Sequence, residues 1–159
     1  MASFLRTIEF LCVGLWLGSD VFLSFVVAPG AFSVLSSRDQ AGAIVGFALT
    51  RMHYLGIICG ILFLLVRLIR TRTFAGFTSS AALCIVLMIV LTAISQFTVS
   101  AKMATLRIQM GSIEATSAGS PLLAEFSKLH RSSVSLESAV LLSGLAALYL
   151  MIREIVVPR

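Results

Sequence analysis

Four apolar stretches, at about 4–27, 45–69, 77–97 and 134–155, decide what this chain can fold into. Roughly twenty apolar residues in helical form cross a bilayer's hydrocarbon core. A helix satisfies its own backbone hydrogen bonds there, so stretches of this length read as spanning helices. Only 12% of the 159 residues are charged and mean hydropathy is +1.04, whereas soluble domains are about 25% charged. The expectation is an all-α protein: a four-transmembrane-helix bundle, with helices 3 and 4 extended into an extramembrane helical hairpin at about 98–133. The whole chain, 1–159, then forms a single integral membrane domain.

The first stretch resembles a signal peptide only at its start. Asp20 lies inside it, the small-residue site is followed by Pro29, and it outlasts an h-region of roughly 7–15 residues. It reads as a retained helix. Pro29 and Gly30 in "APGAF" are expected to end it. Ser37 and Gln40 have the spacing of a capping box for the second helix, and the short "RTRTFAG" connection makes helices 2 and 3 antiparallel neighbours.

Beyond the third stretch, Val99, Met103, Leu106, Met110 and Ile113 recur at steps of four and three. After "ATSAGS", Ser120 and Pro121 fit an N-cap and first helical position. Leu122, Phe126, Leu129, Ser133, Leu136 and Val140 then repeat the pattern. Each stripe runs into a spanning helix, so the two predict a hairpin, its arms about fifteen residues or roughly 22 Å long. Gly14 with Gly18, and Gly56 with Gly60, lie one turn apart and predict close backbone approach between helices 1 and 2.

Net charge is +5 and the pI is about 9.7. The cations flank apolar stretches, without the basic stripe and interleaved aromatics of nucleic-acid proteins. Membrane lipids are therefore the expected partners and nucleic acid is not. Arg67, Arg70 and Arg72 are expected to meet phosphate headgroups. A larger complex or protein partner could dock on the hairpin. Cys12, Cys59 and Cys84 sit inside apolar stretches and read as packing residues. Six arginines (Arg6, Arg67, Arg70, Arg72, Arg153, Arg159) fall on the side of the termini, close to the spans, and six cations fall more diffusely on the other. Short-loop density favours cytoplasmic termini, in a bacterial inner membrane.

Alternating helix direction brings Asp20, Arg51, His53, Gln96, His130, Arg131 and Glu137 to one membrane level, the hairpin end. The opposite half is expected to hold almost no ionisable residue. Intramembrane carboxylates are costly and are normally paired or face a polar cavity. Arg51 is the expected partner of Asp20; Glu137 can pair with His130, His53 or Arg51. Three readings stay open: a charge network that pins the helices together, a pocket for a small polar or anionic ligand, and haem b held by His53 and His130 in a redox or quinone-linked protein. No metal-binding set of His, Met and Cys is evident, and without a GxSxG elbow the serines near His130 give no hydrolase signal. No catalytic residue is assigned.

"WLGSDVFLSFVVAPGAF", the Arg/His helix start and "FSKLHRSSVSLES" resemble a family of small four-helix membrane proteins, domain-of-unknown-function family 4149, related to the transmembrane-protein-205 group. Trp16, Gly18, Phe22, Pro29, Phe32, Phe126, Leu129 and His130 carry the resemblance. An asparagine is common in that family where this chain has Glu137 or its neighbours. The resemblance implies a four-span bundle and transfers no biochemical activity. An accessory subunit or a small-ligand binder or transporter, not an enzyme, is the expectation.

Overall fold

The computed structural model describes residues 1–156, without the side chains of Ala2, Phe74 and Ala75; Arg159 of the terminal charge set lies outside the described residues. The chain is all helical. Helix α1 (Ala2–Phe22) passes through a π-helical turn (Leu23–Val27) into α2 (Ala28–Val34). Helix α3 spans Arg38–Thr71. A 3₁₀ turn (Phe74–Thr78) leads to α4 (Ser80–Ile94), which passes through a second π-helical turn (Ser95–Ser100) into α5 (Ala101–Met110). Helix α6 spans Pro121–Val156. Four of these rods, Ser3–Val34, Arg38–Thr71, Ser80–Met110 and Pro121–Val156, are long and apolar enough to cross a membrane. They close a bundle in which α1 packs mainly on α3 and α4 mainly on α6.

The outward faces decide the solvent. Phe4, Leu11, Leu15, Ile58, Leu62, Leu87, Leu142 and Tyr149 are all exposed. A water-soluble monomer rarely shows apolar patches beyond a few hundred Å². The chain is an integral membrane protein, and these side chains face lipid.

Pro29 does not end the first rod. A proline inside a helix lacks its N–H and its ring strikes the carbonyl four residues back. Here the π-helical turn widens the ladder just before it: the Ala28 N–H donates to the Leu23 carbonyl, five residues back. Pro29 follows that turn at the start of α2, and the widened winding relieves the clash of its ring with the preceding turn. The helix therefore runs on to Val34.

Helix α3 starts as its spacing predicts: the Ser37 hydroxyl accepts from the Gln40 N–H at 3.4 Å. Its first turn is also tied to the segment after α5. Asp39 accepts from the Ser112 hydroxyl at 2.5 Å and from the Ile113 N–H at 2.9 Å, and Glu114 accepts from the Arg38 N–H. Gly111 turns the chain out of α5 at φ 69°. Asp39→Ala removes both acceptors and frees the 111–116 segment from the start of α3. Faster amide hydrogen exchange at 111–116, with unchanged exchange in α4, is the expected readout.

Between α1 and α3 only one glycine pair makes the predicted close approach. Gly14 and Gly18 are exposed, with open space where a Cβ would stand. Gly56 and Gly60 are buried against the indole of Trp16. A Cβ at Gly60 would stand 2.7 Å from Ile89 Cγ1 and 2.8 Å from Trp16 Cζ3; one at Gly56 would overlap the indole nitrogen. The small residues thus make room for a ring, not for a second glycine stripe. Gly56→Ala is expected to cost about 1–3 kcal/mol by overpacking. Gly18→Ala gains a few tenths from helix propensity, roughly up to 1 kcal/mol. Unfolding of the two variants in micelles separates the effects.

Candidate functional site

His53 stands at the centre of the polar cluster, wholly buried on α3. Its Nδ1 lies 2.7 Å from Gln96 Oε1 and its Nε2 lies 2.7 Å from Glu137 Oε1. Gln96 comes from the second π-helical turn and Glu137 from α6, so one imidazole joins three rods. The Ser95 hydroxyl donates to the same Glu137 oxygen at 2.9 Å. Asp20, 1% exposed near the end of α1, accepts from Ser24 at 3.3 Å. Asp20 Oδ2 and Glu137 Oε2 are both buried without a hydrogen-bond partner among the described residues.

Both π-helical turns lie at this level. Ser24 sits in the first, Ser95 and Gln96 in the second. Such turns collect at functional sites because the extra residue re-aims side chains that a regular helix would send elsewhere.

Beside the cluster is a cavity of about 650 Å³. Phe25, Phe32, Phe47, Leu49, Val134 and Leu141 supply apolar wall, and Asp20 and Glu137 supply carboxylates. Arg107, on α5, also lines it. Its guanidinium carbon lies 5.4 Å from the centre of the Phe126 ring, and Gly42 makes room for it: a Cβ there would stand 2.7 Å from Arg107 Nη2.

The structure brings together Asp20, His53, Gln96 and Glu137, and leaves three predicted members outside. Arg51 is exposed, 5.2 Å above the Phe47 ring, and does not pair with Asp20. Arg131 is exposed. His130 is exposed along the cavity lining, and Glu137 pairs with His53 instead of with it. Residue level along the axis was legible; rotation about each helix, which turns Arg51 outward and Arg107 inward, was not. Ser95 and Ser24 were also missed, although each lies within four residues of a predicted member.

The histidines do not fit an axial haem pair. Both His53 nitrogens are already held by side chains, so ligation would break the Gln96 or Glu137 contact, and His130 is on the exposed face of α6. Among the described residues no group of three or more His, Cys, Asp or Glu side chains could hold a metal ion.

The opposite half of the bundle is not empty of charge. Glu9, 1% exposed on α1, takes a bidentate pair from Arg70, with Nε at 2.7 Å and Nη2 at 3.2 Å. Arg67 Nη2 reaches both oxygens of Glu154 at 2.6 Å, and its Nη1 lies 3.7 Å from Glu9. Two cations and two carboxylates thereby join α1, α3 and α6. Arg67 and Arg70 are spent on Glu9 and Glu154, not on headgroups, because both arginines sit far enough inside α3 to be covered by neighbouring helices.

These features define a small four-helix integral membrane protein with a buried imidazole–carboxylate cluster beside an apolar cavity. The chain belongs to the family described as Domain of unknown function (DUF4149), whose model matches residues 11–112. That match covers α3, α4 and most of α1, and stops before α6, which supplies Glu137. No curated protein and no solved structure matches the chain.

Proposed function

We propose that this protein is a non-enzymatic binder or carrier of a small amphipathic molecule taken from the membrane. One observation carries the reading: a cavity of about 650 Å³ whose walls are mostly apolar and whose few polar residues include Asp20 and Glu137. Ligand cavities of about 300–1,000 Å³ with apolar walls and a few convergent polar groups are the usual form of small-molecule sites. A structural role for the cluster is still compatible with binding, since His53 joins three rods.

In this reading α5, the 111–120 segment and the start of α6 form a hairpin beyond the bilayer surface, at the cavity's end. The packing of α5 on α6 and the bonds from 112–114 to α3 support it. The arginines near the termini favour a cytoplasmic location for them, in a bacterial inner membrane.

Gly46 lines the cavity, and a Cβ there meets nothing within 4 Å. Gly46→Leu therefore fills the cavity with little strain on the fold. A diazirine-bearing decanol probe, photoactivated in native membranes and mapped by mass spectrometry, is expected to label the half-buried lining residues Leu49 and Leu141 in the wild type. Labelling at these positions should fall at least fivefold in Gly46→Leu, while lipid-facing Leu62 and Leu87 stay unchanged. Equal labelling of the cavity residues in both proteins would overturn the proposal.

A further inference from the structure

We infer that the occupant carries an anionic head, a carboxylate or a phosphate, held by Arg107 at the α5 end of the cavity; this rests on the cavity-binding reading. Arg107 lines the cavity and is half-buried. Its guanidinium has a prepared seat. The Phe126 ring stands on one side, 5.4 Å from the guanidinium carbon. The buried Gly42 leaves room on α3, where a Cβ would stand 2.7 Å from Nη2.

A guanidinium is always charged, and its planar fork of N–H donors matches the oxygens of a carboxylate or phosphate. Here the fork is unspent. Among the described residues no acceptor takes a hydrogen bond from the Arg107 side chain, and no carboxylate forms an ion pair with it. Asp39 is felt from farther off, but its oxygens accept from the Ser112 hydroxyl and the Ile113 N–H. The Arg107 nitrogens are not occluded, whereas Asp20 Oδ2 and Glu137 Oε2 are. An incoming atom can therefore reach the cation and not those two oxygens.

Two helices place this seat away from the acidic cluster. Gly42 precedes His53 by eleven residues on α3, and Phe126 precedes Glu137 by eleven residues on α6. At about 1.5 Å per residue, each step is roughly 16 Å along its axis. The cavity is thus cationic at one end, with apolar wall from Leu23, Leu49 and Leu141 to receive a hydrocarbon chain. His130, one turn along α6 from Phe126, adds a second N–H-bearing side chain to the lining. An anionic head supplies both the charge and the acceptor oxygens that Arg107 lacks. An alcohol supplies an acceptor without charge, and an ammonium brings a like charge and no acceptor.

The test is competition against labelling of Leu49 and Leu141 by the diazirine-bearing decanol probe in phosphatidylcholine nanodiscs. Octanoate, octyl phosphate, octanol and octylammonium are compared at equal membrane-bound concentration. At least one of the two anions is expected to compete tenfold or more better than octanol and octylammonium. Arg107→Gln should reduce that preference to less than threefold while labelling by the uncharged probe persists. Arg107→Lys, which keeps the charge and loses the fork, should fall between the two. Nanodiscs containing phosphatidylglycerol identify the source of the head. Weaker probe labelling there in the wild type, but not in Arg107→Gln, assigns it to a resident anionic phospholipid; unchanged labelling assigns it to a free amphiphile. Equal competition by all four compounds, a preference for octylammonium, or an anion preference that survives Arg107→Gln overturns the anionic-head inference and leaves cavity binding standing. Absence of cavity labelling in the wild type removes the binding reading and this inference with it.

Discussion

Replacing Arg67 with methionine is expected to lower the unfolding free energy by about 3–5 kcal/mol, the usual cost of removing one partner from a buried ion pair. Arg67 is buried between Glu9 and Glu154 and supplies the 2.6 Å contacts to the latter. Its loss leaves Glu154 without its partner and Glu9 with Arg70 alone. Adding Glu154→Gln to Arg67→Met should recover a substantial part of the loss, because it removes the stranded charge. Reversible unfolding in mixed micelles, followed by Trp16 fluorescence, reads both variants. A single variant within about 0.5 kcal/mol of wild type would mean that water or headgroups reach Glu9 and Glu154 freely.

The second large effect is expected at His53. His53→Leu strands Glu137 and Gln96 inside the bundle and should cost about 3–5 kcal/mol. Glu137→Leu alone should cost a similar amount, since it leaves the imidazole and the Ser95 hydroxyl without their acceptor. Combined, the two substitutions put apolar volume where a polar pair had been, which is often close to neutral. The double variant is therefore expected to be more stable than either single variant, with a coupling at or beyond the top of the usual range of about 0.5–3 kcal/mol for residues in contact. Strict additivity would show that His53 and Glu137 do not act as a pair in the membrane.

The positions that could be read from the chain are those fixed by distance along an axis. Asp20, His53, Gln96 and Glu137 were placed at one level because helices alternate direction and rise by a constant step. The stripes leading into α5 and α6 were also legible: Leu106, Phe126, Ser133 and Val140 are buried as their spacing requires. Whether a side chain at that level turns inward depends on helix rotation, and rotation is set by packing. Trp16 on Gly56 and Gly60 fixes the face of α3 that meets α1, and this sends Arg51 outward. Charge pairing across the bundle was hidden for a related reason. Glu9 and Glu154 are remote in sequence from Arg67, and arginines near a span's end look the same on paper whether they meet a headgroup or a carboxylate. Pro29 misled because a proline rule written for regular helices does not anticipate a widened turn just before it.

Those widened turns have a mechanical consequence. Each holds one residue more than a regular helix would need, which sets everything beyond it back by about 100° around the axis relative to regular winding. The turn at Ser95–Ser100 thus acts as a phase setter between α4, packed in the apolar core, and α5, which carries Arg107. Winding the same residues as a regular helix would leave α4 in register and swing α5 through more than a quarter circle, carrying Met103 and Arg107 off the cavity wall. Helical pitch within those few residues is what aims α5.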